Sequence, residues 1–278
     1  MTEADFPTWQ IGDYTITFLS DGHLAASIDL LQGIEPEQAS AMQHDAGLSD
    51  ESPMHINCYL VRGSGRTILI DAGAGGIKQW GGDLARALPS ADVHPSDVDT
   101  ILVTHAHPDH AGGLTDSSGS AVFSNAELVL SRREVEFWKD DANLARASQR
   151  ARGNFLIARR ALGAYADRIR TTNGGEVLPG ISAVALPGHT HGHTGYLLGS
   201  GDESAIAWGD TVHFPSVQIR HPDVSVTLDS DPVRAAETRS ELLELVSSEH
   251  LLVAGTHLHQ GFAHVERTPE GYRIADDA

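Results

Sequence analysis

The stretch VTHAHPDHAGGL, residues 103–114, places His105, His107, Asp109 and His110 within six positions. Such a cluster can serve a metal ion or acid/base chemistry, or be an accident of a histidine-rich chain. The run leading into it, DTILV, is apolar and of strand length. On an extended chain residues i and i+2 project to the same side, so His105 and His107 can reach one ion. Pro108 breaks the strand. The small residues AGGL then permit a tight turn into a helix, which aims Asp109 and His110 back at the same locus. Without an ion, four polar side chains at a strand end are buried with no partners, which is costly. The motif therefore favours a sheet-based fold with a metal centre at its strand ends.

A single catalytic zinc takes three protein ligands and a water. Two metals need more donors than this motif offers, and three later positions supply them. His189 in LPGHTHGHTGY, Asp210 in AIAWGDTVH and His257 in LLVAGTHLHQG each follow an apolar, strand-like run. Any one of them reads equally well as a loop residue. Their recurrence after apolar strands, in a chain whose 16 histidines lie mostly in short clusters, favours a shared site.

The rest of the chain supplies the scaffold. YTITFLSDG (14–22) alternates like a strand, and INCYLVRGSGRTILIDAG (56–73) reads as a hairpin around Gly63-Ser64-Gly65. AELVLS (126–131), GISAVALPG (180–188), GYLLGS (195–200), SAIAWGD (204–210) and HLLVAGTH (250–257) are further strands, and a hairpin follows to YRI. EPEQASAMQHDAGL (35–48) reads as a short helix or covering loop. Asp231 and Pro232 open a helix over 231–248. Residues 131–170 read as helical and carry ten of the 19 Lys and Arg residues. That segment is either a solvated face with i,i+4 ion pairs, or a cap over a pocket or a homodimer contact. Two β-rich halves with helices outside predict an α/β fold, a four-layer αββα sandwich. One domain over 1–278 with the helical insertion at 131–170 is expected.

Composition narrows the partners. A formal net charge of −19 repels phosphate backbones and argues against nucleic acid. The lone Cys58 allows neither an internal disulfide nor a cysteine-based zinc site. No run approaches the roughly 20 apolar residues of a membrane span. The start, MTEADFPTWQIGDY, lacks a signal-peptide pattern. A cytoplasmic protein acting on a small molecule is the expectation.

The series THAHPDHAGG, LPGHT, WGD and GTH resembles the metallo-β-lactamase superfamily of metallohydrolases. LSDG, ILIDAGAGG and GDTVHFPSVQIRHPDVSVTLDSD resemble the branch of methyl parathion hydrolase-like enzymes and acyl-homoserine-lactone lactonases. The resemblance implies two divalent metals, zinc first, with manganese, iron or cobalt as alternatives. His105, His107 and His189 would hold one, and Asp109, His110 and His257 the other. Asp210 would bridge them together with a water or hydroxide. Asp109 and Asp210 are then the catalytic carboxylates. THLHQGFAH departs from the branch's Phe-Pro-Gly-containing version, and His259 competes with His257 for the last position.

Around this set, Asp71 at the end of TILID is a candidate to orient ligand imidazoles. DAGAGG lacks the spacing of a dinucleotide loop and is expected to pass backbone close to the metals. His191, His193, His213, Trp80 and Trp138 are candidate substrate contacts. The implied activity is hydrolysis of a small neutral ester, foremost a lactone, with aryl esters and phosphotriesters beside it. Thioester hydrolysis, a nuclease of the same fold, and a one-iron persulfide dioxygenase using His105, His189 and Asp210 are the alternatives.

Overall fold

Alternation along the strands decides the layering. The computed structural model describes residues 6–200 and 203–275. One sheet has seven strands, in the order Thr8–Ile11, Tyr14–Leu24, Met54–Gly63, Arg66–Ile70, Thr100–Leu102, Glu127–Ser131 and Ile169–Thr172. The first four strands pair antiparallel, and the remaining three join in parallel. The second sheet runs Phe262–Ala263, Leu252–Ala254, Glu203–Ala207, Thr194–Ser200, Ile181–Ala185, Gly175–Leu178. On Arg66–Ile70, Ile68 and Ile70 pack against Tyr196, Leu198 and Ala205 of the second sheet. Leu69, between them, packs on the opposite face with Leu84, Leu88 and Phe155 from helices. Ile206 and Val253, on the far face of the second sheet, meet Leu242, Leu243 and Val246 of the helix Pro232–Ser248. Both faces of both sheets are thus covered, which gives the four layers expected.

Local chemistry fixes the connections. The hairpin turn is Ser64-Gly65, with φ of 49° and 72°, the two positive values of a tight primed turn. The segment read as one helical run is divided by its own caps. Helices Arg132–Lys139, Asp141–Arg146 and Gln149–Ala164 are separated where Asp140 accepts from Ala142 N and Ser148 from Ala151 N. Its ends belong to the strands Glu127–Ser131 and Ile169–Thr172. Residues 35–48 contain the helix Pro36–Asp45. Thr8–Ile11, Ile169–Thr172 and Gly175–Leu178 have no apolar run to mark them, because all three are short edge strands. Among the described residues, no helix is long and apolar enough to cross a membrane.

The glycine-rich loop after Arg66–Ile70 is held by one carboxylate. Asp21, fully buried, accepts from the backbone N–H groups of Ala74, Gly75, Gly82 and Leu84 at 2.8–3.4 Å. Burial pushes its carboxyl above the usual range even against those four donors. Gly73 and Gly81 are required here: their φ values are 69° and 53°, and a Cβ would lie 2.4 and 2.0 Å from Asp21 atoms. Gly75 packs as closely on Gly113, where a Cβ would lie 2.6 Å from Cα. The close approach served by DAGAGG is thus to Asp21 and to the AGG turn, a correction to the expectation that it serves the metals. Asp21→Ala strands buried donors and is expected to cost at least about 2 kcal/mol. Asp21→Asn, which keeps one acceptor oxygen, costs less. Urea unfolding with an unchanged m-value measures both.

Candidate metal centre

The cluster is assembled where strands of both sheets end. His105 follows Thr100–Leu102, and His107 precedes the one-turn helix Pro108–Ala111, which carries Asp109 and His110. His189 follows Ile181–Ala185, Asp210 follows Glu203–Ala207, and His257 follows Leu252–Ala254. The turn before His189 needs Gly188, at φ 134°, because a Cβ there would lie 2.3 Å from Ala235 N.

Asp210, 3% exposed, sits at the centre and divides its two oxygens. Its Oδ2 lies 3.3 Å from His189 Nε2 and 3.6 Å from His105 Nε2. His107 Nδ1 is 2.9 Å from that His189 atom and 3.1 Å from His105 Nε2. Asp210 Oδ1 lies 2.9 Å from His110 Nε2 and 3.2 Å from His257 Nε2. Asp109 Oδ2 is 3.5 and 3.9 Å from the same two nitrogens. Two sets of four donors result, His105–His107–His189–Asp210 and Asp109–His110–His257–Asp210, each with its ligand atoms within 4.8 Å of one another.

Protein groups do not satisfy this arrangement by themselves. His110 Nε2, His257 Nε2 and Asp210 Oδ1 are buried and close together, yet make no hydrogen bond. Buried polar atoms are rarely left so. Burial holds His105 well below the ordinary histidine range and His107 down to about 3, so both are neutral donors. For His110 and His257 burial works the same way, but Asp210 and the other carboxylates outweigh it and hold both above that range. Asp210 would be raised by burial, yet His110, His257, His213 and His105 keep it ionised. A compact nest of imidazoles and carboxylates, with ring nitrogens and carboxylate oxygens converging on two points, suits divalent cations.

A second tier holds the donors in place. Asp71 Oδ2 is 2.7 Å from His110 Nδ1, and the same carboxylate accepts from Thr104 N and Oγ1. Asp229 Oδ1 is 3.0 Å from His189 Nδ1, and His55 O is 2.6 Å from His257 Nδ1. Behind Asp229, buried Arg239 donates to Thr211 O, Pro222 O and Val224 O, and its Nη2 is 3.9 Å from Asp229 Oδ2. Buried Glu134 gathers Trp138 Nε1, Thr190 Oγ1 and the N–H groups of Ala106 and Gly192. It thereby ties the His105 turn to the His189 turn. The sequence reading named Asp71 but missed Asp229, Glu134 and Arg239. The only signal for Asp229 was its place in the TLDSD run; nothing in spacing links it to a histidine 40 positions away.

Above the cluster lies a cavity of 270 Å³. His107, Asp109, His189, Asp210, His213 and His257 reach it, and Leu24, Met54, Trp80, Trp138, Phe155 and Leu228 form its apolar walls. His213 is buried with neither ring nitrogen hydrogen-bonded, and its Nε2 is 3.2 Å from Asp210 Oδ2. Two expected substrate contacts lie elsewhere. His193 is buried beneath the site, where its Nε2 accepts from Asp210 N and its Nδ1 faces Leu186 O. His191 is exposed and packs on Phe137 outside the cavity lining. His259 is hydrogen-bonded to His55 and stands outside both donor sets, whereas His257 is in one.

Comparisons with known proteins show the family. Residues 52–257 match the family model of the metallo-beta-lactamase superfamily, and the chain belongs to that superfamily. It is similar to a solved hydrolase, AbOPH, of the beta lactamase superfamily: 30% identity, TM-score 0.90, 98% of this chain and 97% of that one covered. It shares its fold with AidC, a dizinc quorum-quenching lactonase solved with a product, at 24% identity and TM-score 0.90 over 98% and 97% of the two chains. Metallo-beta-lactamase domain-containing protein 1 of Xenopus laevis is 26% identical over 181 residues, 64% of this chain. The match spans 62% of that relative's length.

Asp71→Asn keeps the shape of the side chain but weakens the acceptor behind His110. The expected result is a tenfold to hundredfold loss of divalent-metal affinity, about the usual effect of such orienting partners. Competition with a chromophoric chelator measures it; an unchanged affinity contradicts the orienting role.

Proposed function

We propose that this chain binds two divalent cations, one in each donor set, and hydrolyses a small neutral ester, foremost a lactone, with aryl esters and phosphotriesters as secondary substrates. The observation that carries the reading is the division of Asp210: one oxygen faces each donor set, and the atoms left without hydrogen bonds lie where a second ion would sit. Zinc suits the nitrogen-rich donors, and manganese, iron or cobalt can occupy similar sets. Such a pair of cations supplies Lewis-acid polarisation of an ester carbonyl or phosphoryl oxygen and acidifies a water. The similarity to AbOPH and the fold shared with AidC support hydrolysis and, within it, a lactone.

The chain's own residues do the remaining work. Asp210 fixes the spacing of the two sets. Asp109, at the cavity floor, is the carboxylate placed to take a proton from the attacking water. His213 presents a ring nitrogen with no other partner and can donate to an oxygen of the substrate or leaving group. Trp80, Trp138 and Phe155 give an apolar enclosure of the size a small ester fills, which excludes bulk water and strengthens the polar contacts inside. The helices within 131–170 contribute Trp138 and Phe155 to that wall, and we read them as a cap inserted into a single domain.

Metal quantification together with a panel of lactones, aryl esters, phosphotriesters and β-lactams tests the reading. Two metals per chain with lactone hydrolysis is the expected result. One iron per chain with thiol-dependent oxygen uptake selects the persulfide dioxygenase instead. Asp210→Ala is expected to lose both bound metals and turnover, and retained turnover refutes the bridging position. Metal affinity is also expected to fall on acidification. His110 and His257 must lose their protons to act as donors, and the carboxylates raise their affinity for those protons. Affinity therefore rises with pH as these rings deprotonate. Chelator competition between about pH 5 and 8 reads the slope.

A further inference from the structure

A second group of histidines lies outside the centre just described. The strands Tyr14–Leu24 and Met54–Gly63 set His23 and His55 directly opposite each other, with ring centroids 4.4 Å apart. His259, beyond Leu252–Ala254, turns its ring to His55 at 4.5 Å and 72°. Its Nδ1 is 2.8 Å from His55 Nε2. His23 and His259 are exposed and His55 is half-buried; the backbone carbonyl of His23 accepts from Gly81 N, and its ring makes no hydrogen bond among the described residues.

A hydrogen bond between two imidazoles explains the His55–His259 contact alone. It does not explain a third imidazole against the same ring. The spacing of the His55–His259 nitrogens is close to that of two ligands on one metal ion. Two imidazole nitrogens on one tetrahedral zinc, at about 2.0–2.1 Å from it, stand about 3.3 Å apart. The observed 2.8 Å separation needs to open by only a few tenths of an ångström. The proton now shared between the rings moves to a far nitrogen, a change of tautomer with no net proton loss. His23 completes a three-imidazole set by rotation of an exposed side chain, and water fills the remaining position. Imidazole suits zinc, nickel and copper better than magnesium or calcium. The net charge of −19 raises the local concentration of such cations at the surface.

The position also adjoins the main centre. One small cavity is lined by His55 and His259 together with His213 and His257. The backbone carbonyl of His55 is the group that faces His257 Nδ1 at 2.6 Å. We propose that His23, His55 and His259 form a peripheral site for one further borderline divalent cation, with Zn²⁺ the probe of choice, separate from the two donor sets around Asp210.

The test is a difference in stoichiometry between the metal-loaded wild-type protein and a His23→Ala/His259→Gln double variant. Neither residue belongs to the Asp210 donor sets, and both are exposed, so folding and the main centre are expected to be kept; circular dichroism checks the former. Titration calorimetry with Zn²⁺ should show one more equivalent in the wild type than in the double variant. The single variant His259→Gln should weaken that equivalent at least tenfold. Because the count is a difference, it holds whatever the main centre contains and whatever ester the protein hydrolyses. Equal stoichiometry in the two proteins, or an extra equivalent that survives in the double variant, overturns the proposal. A merely structural role for the histidine pair would shift the unfolding midpoint and leave the zinc count unchanged.

Discussion

Everything at this site depends on one carboxylate that is buried but not alone. Burying an ionised aspartate is expensive unless opposite charge or hydrogen bonding compensates. Around Asp210 the compensation comes from five imidazoles, His105, His189 and His213 on one oxygen and His110 and His257 on the other. These histidines belong to segments far apart in the chain, so the carboxylate can be satisfied only when both sheets are formed and aligned. The site is thus a product of the tertiary fold. Its energetics are also conditional, because protons neutralise the cluster when cations do not.

The same solution recurs at each buried acid nearby. Asp71 holds His110 and the Thr104 turn, Asp229 holds His189, and Glu134 joins two turns. Asp21 pins the glycine-rich loop whose Trp80 reaches the cavity wall. Each places an acceptor against N–H groups that would otherwise be unpaired in the interior, so each contributes position as well as stability. The net charge of −19 is therefore not simply a property of the surface. Several of the acids that matter most face inward.

Residue patterning made the centre more legible than its supports. Ile68, Leu69 and Ile70 alternate between two cores, and a period of two is visible in any sequence. His105, His107, Asp109 and His110 are close in the chain, and His189, Asp210 and His257 each follow an apolar run, so the residues that the fold brings together around Asp210 could be named from the sequence. Edge strands such as Thr8–Ile11 lack an apolar face long enough to be seen. Asp21 and Asp229 lie in quoted motifs, but their roles were not legible for a different reason: their partners are backbone amides or a histidine tens of residues away, and no spacing rule connects them. His193 misled because it shares a turn with His189, yet its backbone sits where the ring points inward beneath Asp210 rather than up into the cavity.

The cavity above the centre obeys another logic. Its walls are drawn from four separate places: Leu24 and Met54 on neighbouring strands, Trp80 on the pinned loop, Trp138 and Phe155 on helices, and Leu228 ahead of the last long helix. None of these side chains is tied to Asp210 by a hydrogen bond, and apart from Trp138, whose Nε1 donates to Glu134, they can change size at the cost of local packing alone. The donor sets have no such freedom, since moving one imidazole leaves a buried carboxylate oxygen uncompensated. On the proposed function, rigid strand ends carry the chemistry, and the loops and helices beside them carry the selection of what fits. A single arrangement of histidines and aspartates can in this way sit beneath many different walls.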